Sequence, residues 1–265
     1  MKKLFYILFL VAFTSCSEYQ KVLKSESLQE KFEMGTALYE EGKYTKANRL
    51  FLDLVPKYRG KPQAEKLMYM YCMTFYHMKE YYTANYQMER FVSSYPKSEK
   101  KEEIAYLGAK SFYHLSPIYS KEQKETVDAI NKMQAFINQF PNSEYLTEAN
   151  TIVKELDFKL EKKAFEIAKQ YNVISDFQAS IKAFDNFLLD YPGSPLREQA
   201  HYYRLDAAYK LAINSVDWKK EERINKAISY FNTFKRYFAE SEYLEESEKL
   251  NAELAELLKE FQTKS

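Results

Sequence analysis

Apolar residues recur three and four positions apart from about residue 28 almost to the carboxyl end, the spacing of one face of a helix. One phrase interrupts this periodicity at intervals, Phe-x-x-x-(Phe/Tyr)-Pro-x-Ser. It stands as Phe91…Tyr95-Pro96-x-Ser98, Phe136…Phe140-Pro141-x-Ser143 and Phe187…Tyr191-Pro192-x-Ser194. A worn copy is Phe234…Phe238-Ala239-x-Ser241, and Phe51…Val55-Pro56 is the front half of another. The two aromatics lie one turn apart on a buried face, proline ends the helix, and serine is placed to N-cap the next. A helix stop at this spacing predicts stacked helix pairs, hence an all-α, tetratricopeptide-like solenoid of about five pairs and a binding scaffold. The predicted pairs are 28–41 with 44–57, 62–78 with 81–95, 98–116 with 122–140, 143–171 with 175–190, and 194–214 with 219–238. A last helix over 241–262 carries Leu250, Leu254, Leu257, Leu258 and Phe261 on one stripe and glutamates elsewhere, the pattern of a cap, although the stripe would also suit a partner.

The first pair shows the repeat most fully. Gly35 lets two helices approach, Gly42 suits a left-handed turn, Ala47 is the small contact on the second helix, and Phe51 fills the space one turn later. The small position is expected again at Ala84, Ala129, Ala179 and Ala227. Met73 to Met78 resembles Lys110 to Leu115, 37 residues on. Long inter-helix loops are expected at 116–128 and 214–224.

The amino terminus follows another logic. Lys2 and Lys3 precede an apolar stretch from Leu4 to Phe13, then Thr14-Ser15-Cys16. Ten apolar residues are too few to span a bilayer, which needs about 20. Residues 1–15 therefore read as a lipoprotein signal peptide, Cys16 as the lipid-bearing first residue of the mature chain, and 16–27 as its tether. Phe13 stands where leucine is usual, and an ordinary cleaved leader would leave Cys16 incidental. Residues 28–265 form the repeat domain. Only Glu18 follows the cysteine as an acid, which favours the periplasmic leaflet of the outer membrane over the cell surface. Cys72, between Tyr71 and Met73, is expected to pack as a small core residue.

Charge narrows the partners. There are 39 basic and 38 acidic side chains, and removing Lys2 and Lys3 with the leader leaves 37 against 38. No basic block suggests nucleic acid. His77, His114 and His201 lack metal-ligand spacing, and no nucleophile elbow, Walker loop or dinucleotide fingerprint occurs. No enzyme activity is expected, no metal, and no cofactor beyond the covalent lipid. The candidate site is a groove. In a tetratricopeptide stack the first helix of each pair lines the concave side. Aligning Gly35 with Cys72 puts Phe32, Thr36 and Tyr39, then Tyr69, Met73 and Tyr76, on that side as a peptide- or substrate-binding lining. Core packing of the Met- and Tyr-rich segment 68–78 is the competing reading.

The lipobox, the tether beginning Cys16-Ser17-Glu18-Tyr19, and five helix pairs punctuated by (Phe/Tyr)-Pro-x-Ser closely resemble the BamD family of outer-membrane β-barrel assembly lipoproteins. Tyr44-Thr45-Lys46-Ala47…Val55-Pro56-Lys57-Tyr58-Arg59-Gly60 and Asn214-Ser215…Glu221-Glu222-Arg223 look like its Bacteroidetes branch. The resemblance implies a lipid-anchored scaffold on the periplasmic face of the outer membrane. It implies that C-terminal repeats, about Ala164 to Phe238, bind the POTRA domains of a BamA-like barrel protein. It also implies that N-terminal repeats receive unfolded outer-membrane proteins. A different class, the glycan- or nutrient-binding helical-repeat lipoproteins, also begins with a lipobox, but tends to carry Trp-rich insertions; this chain has one tryptophan, Trp218.

Overall fold

The structure is a computed structural model that describes residues 18–264; the leader and Cys16 lie outside the described residues. A short helix, α1, covers residues 18–24. Then come α2 (Leu28–Glu40), α3 (Tyr44–Leu54), a 3-10 turn (Val55–Tyr58), α4 (Ala64–His77), α5 (Tyr81–Ser94), α6 (Lys101–Leu115) and α7 (Lys124–Gln139). After these follow α8 (Leu146–Val173), α9 (Phe177–Asp190), α10 (Arg197–Ile213), α11 (Asp217–Tyr237) and α12 (Leu244–Lys264). The fold is all-α, with no strand among the described residues. It is the expected series of five helix pairs and a terminal helix.

The chain divides into two compact units. One comprises residues up to Pro117 and Glu122–Leu156, the other Ile118–Lys121 and Asp157–Ser265. In the first unit one core gathers Phe32, Phe51, Leu67, Cys72, Met88 and Phe91, and another gathers Tyr106, Met133, Phe136 and Leu156. Phe165, Phe184 and Phe187 form one core of the second unit, and Leu205, Ile224, Phe231 and Leu254 the other.

The repeated phrase builds the same joint four times. Tyr95, Phe140, Tyr191 and Phe238 each donate a backbone N–H to the carbonyl of the phenylalanine four residues back, at 2.9 Å. The two rings lie 5.1–5.5 Å apart and tilted by 34–47° in every copy. The second aromatic takes φ near −125° and ψ near 60°, outside the helical region that a following proline disfavours. Phe238 adopts this conformation before Ala239, so the aromatic pair and the turn hold the joint where proline is absent. Pro56 behaves differently: Val55 stays helical and the chain tightens into the 3-10 turn.

The serines do not occupy the N-caps of the α-helices, which start three residues after them. Instead each hydroxyl accepts the N–H two residues on, at 3.0–3.1 Å, in Lys100, Tyr145, Leu196 and Tyr243. Each serine carbonyl accepts the N–H three residues on, at 3.1–3.3 Å. This is a side-chain-stabilised turn that feeds the helix from one step further back.

Three helix pairs close through one type of turn. Gly42, Lys79 and Ser175 have φ of 73°, 61° and 64°. Each donates its N–H three residues back, and the next residue donates five residues back, which is the Schellman arrangement. Five residues after each lies a fully buried small residue: Ala47, Ala84 and Ser180. The fourth small contact is thus Ser180 and not Ala179, which is half-buried. Ser180 fits because its hydroxyl donates to the Ala168 carbonyl at 2.9 Å, satisfying a polar group that would otherwise be stranded. At Gly35 a Cβ would stand 2.6 Å from Phe51 Cε1, so only glycine allows that approach of α2 to α3. In α12, Leu254 is buried while Glu245, Glu248, Lys249 and Glu256 are exposed, giving the polar outer face of a cap.

Candidate functional site

Between first helices of neighbouring pairs runs a repeated polar pattern, a tyrosine on one helix and a glutamate on the next. Tyr69 on α4 donates to Glu103 on α6 at 2.9 Å, and Tyr113 on α6 donates to Glu155 on α8 at 2.9 Å. In the second unit Tyr209 on α10 donates to Glu253 on α12. Tyrosines one heptad earlier, Tyr106 and Tyr202, face Glu148 and Glu246 in turn. The residue two after three of the four joint serines covers the ring. Tyr145 stacks on Tyr106 at 4.5 Å and 7°, Tyr243 on Tyr202 at 4.5 Å and 24°, and Lys100 Nζ lies 5.3 Å from the centre of the Tyr69 ring. Burial, then the neighbouring carboxylate, pushes Tyr69, Tyr106 and Tyr202 above the ordinary phenol range. These hydroxyls stay protonated, and that of Tyr69 donates to Glu103.

The six groove candidates fall into three places. Phe32 and Met73 are core: each is 8% exposed, and Phe32 stacks on Tyr58 at 5.6 Å and 14°. Helix α4 is covered on most sides, with Leu67, Met68, Met70, Tyr71, Cys72, Met73 and Phe75 all buried. Thr36 is half-buried and its hydroxyl turns back to the Phe32 carbonyl at 2.8 Å. The other three, Tyr39, Tyr69 and Tyr76, are half-buried and reach the surface.

Tyr39 and Tyr69 share one cleft of about 490 Å³, with Met70 and Pro62 as apolar wall and Glu40, Glu65, Lys66 and Lys100 around it. Lys100 and Tyr69 are both held by Glu103, at 2.8 and 2.9 Å, so this wall is set by hydrogen bonds. Burial pushes Tyr39 up to about 12. Tyr76 belongs to a separate aromatic band at the other end of the helix. There Tyr44 stacks on His77 at 4.2 Å and 11°, and Tyr81 on His114 at 4.7 Å and 24°. These are equivalent positions 37 residues apart. Tyr76 lies edge-on to Tyr81 and His114, and burial lowers both histidines below their ordinary value.

Pro62 and Lys100 escaped the sequence reading because a helix-face alignment finds residues on α2 and α4 but not those brought in by the turn before α4 or the start of α6; Glu40 and Lys66 lie on α2 and α4 but outside the positions that aligning Gly35 with Cys72 selects. The one available signal was the position of Lys100 two after a joint serine. Among the described residues no group of three or more His, Cys, Asp or Glu could hold a metal. No described helix is long and apolar enough to cross a membrane.

Comparison with known proteins fits this helical-repeat face. Residues 24–182 match the family described as YfiO, outer membrane lipoprotein, which is more than half of the chain. The chain belongs to the YfiO family of outer membrane lipoproteins. The matched stretch takes in the first unit, with the Tyr39–Tyr69 cleft, and runs into α9; most of the second unit lies beyond it. No curated protein matches. Among solved structures, a chain titled "DHF58 filament" aligns over 94% of this chain and 98% of its own at 12% identity, with a TM-score of 0.15. That value is too low to inform the fold of this YfiO-family chain.

Proposed function

We propose that this YfiO-family lipoprotein is a non-catalytic scaffold of outer-membrane β-barrel assembly, anchored on the periplasmic face through a lipid on Cys16. It receives unfolded outer-membrane proteins on its N-terminal repeats and docks the POTRA domains of a BamA-like barrel protein through its C-terminal repeats. The observation that carries the reading is the Tyr39–Tyr69 cleft. It is an open surface with apolar walls, hydroxyl donors and mixed charges, and it lies on the first helices of the family-matched unit. Such a lining suits extended peptides of varied sequence, gripped by amphipathic aromatic rings and a few directed hydrogen bonds.

The second unit offers a different surface, suited to a folded partner. Val173 at the end of α8 and Ile174 just after it stand exposed, as do Val216 and Trp218 at the start of α11. Asn172 near the end of α8 donates to Asp206 on α10 at 2.7 Å, so the two helices run side by side. Trp218 is 78% exposed with Lys219 Nζ 4.4 Å from its ring centre. An exposed tryptophan is a frequent interface anchor.

Binding of a peptide from the C-terminal strand of an outer-membrane protein tests the cleft. Tyr39→Ala with Tyr69→Ala is expected to weaken it roughly tenfold, the loss of one or two aromatic contacts, while the helical circular dichroism stays intact. Unchanged affinity in a folded double variant would remove the groove from the account.

A further inference from the structure

The segment Val55-Pro56-Lys57-Tyr58-Arg59-Gly60 has a shape that none of these roles uses. After the 3-10 turn, Arg59 takes φ −53° and ψ 127°, and Gly60 takes φ +77°. Lys61 N–H donates to the Tyr58 carbonyl at 2.9 Å. These are the marks of a type II β-turn, whose second central position favours glycine. Tyr58 is buried and stacked on Phe32, which fastens the turn to the core. Arg59 is therefore carried on a fixed backbone.

Arg90 on α5 comes to the same place. Two clefts of about 290 and 60 Å³ both include Val55, Arg59 and Arg90 in their walls. Among the described residues neither arginine forms an ion pair with a carboxylate. Acids nearby in sequence are engaged elsewhere, Asp53 by Lys31 and Lys57 and Glu89 by Lys132. Arg90 Nη1 donates to Gln87 Oε1 at 3.0 Å, leaving most donors of the two guanidinium groups without a protein acceptor. Tyr71, whose hydroxyl feels the Arg90 charge, and Ser94 bring hydroxyl-bearing side chains to the same walls.

Two guanidinium groups lacking a carboxylate partner, with hydroxyls beside them, form a donor set for an oxyanion of more than one charge. A carboxylate carries one charge and a phosphate monoester between one and two. We propose that the cleft between Arg59 and Arg90 binds a phosphate group, from a soluble phosphate or from a lipid headgroup. Leu52, Val55 and Pro56 continue the wall away from the arginines, so an apolar portion attached to the phosphate is accommodated. This site is independent of the peptide cleft and of the assembly reading.

Calorimetric titration of the full chain with inorganic phosphate, dihexanoyl phosphatidic acid and sodium acetate at matched ionic strength tests it. Phosphate binding is expected in the wild type, weakened roughly tenfold in R59K/R90K, which keeps charge but loses the planar fork, and abolished in R59Q/R90Q. Response to both phosphate probes makes phosphate sufficient; response to the phosphatidic acid alone assigns the site to a lipid headgroup. Equal binding of both phosphate probes by wild type and R59Q/R90Q, no binding of either by wild type, or tighter binding of acetate would overturn the proposal. Should R59Q/R90Q fail to fold by circular dichroism, R59K/R90K decides, and wild-type phosphate affinity in that variant would overturn it equally.

Discussion

A single Cβ decides how closely α2 and α3 can pack. Gly35→Ala would place a methyl group 2.6 Å from Phe51 Cε1, and Phe51 is fully buried and cannot step aside. The substitution is expected to destabilise the protein by about 1–3 kcal/mol, as overpacking does. Gly193→Ala, with nothing within 4 Å of the added atom, serves as the control and should stay within about 0.5 kcal/mol in the same urea titration. His201 offers a second residue-scale handle. It is 6% exposed, and burial, then the charges of Arg204 and Arg197, pushes its pKa down to about 4. An unfolded histidine titrates near 6.5, so the neutral ring contributes stability that is full above that pH and is lost as pH falls toward 4. Thermal midpoints are expected to drop across this window in the wild type and to drop less in His201→Gln.

At the scale of elements, the joint is the unit of construction. Its ring pair, its tilted second aromatic and its serine turn recur with the same geometry in four places, including the one that has lost proline. Replacing Ala239 by proline should therefore leave the fold unchanged and raise stability slightly, by up to about 1 kcal/mol, through the unfolded chain. A marked loss of stability would show that the last joint differs from the others. The helix pairs themselves were legible in the sequence because helix-stop residues and apolar periodicity are local signals. The starts of the first helices were placed three residues early at Ser98, Ser143, Ser194 and Ser241, since a serine that caps a turn and one that caps a helix look alike in sequence. The small contact falls on Ser180, one residue after the expected Ala179, for a related reason. A buried hydroxyl is a fair substitute for a methyl group only when a carbonyl such as that of Ala168 is in reach, and that is tertiary information. The same holds for the cleft. Tyr39 and Tyr69 could be found from helix faces, but Pro62 and Lys100, which lie off those helices, could not.

The whole molecule consists of two units joined along one chain, each with cores of its own. In helical repeats stability is carried by each repeat and its nearest neighbours, so a local lesion should remain local. Hydrogen exchange in Gly35→Ala is expected to accelerate in α2 to α4 and to remain near wild type in α9 to α11. Uniform acceleration would mean that the chain opens as one cooperative block. The central claim, that this YfiO-family chain is a scaffold for β-barrel assembly, rests on partners. Its most direct measurement is affinity capture of the native protein from detergent-solubilised outer membranes, followed by mass spectrometry of what co-purifies. A BamA-like barrel protein with POTRA domains is the predicted companion, lost when Trp218 and Val216 are changed to serine. Recovery of a TonB-dependent nutrient transporter in its place would contradict the account.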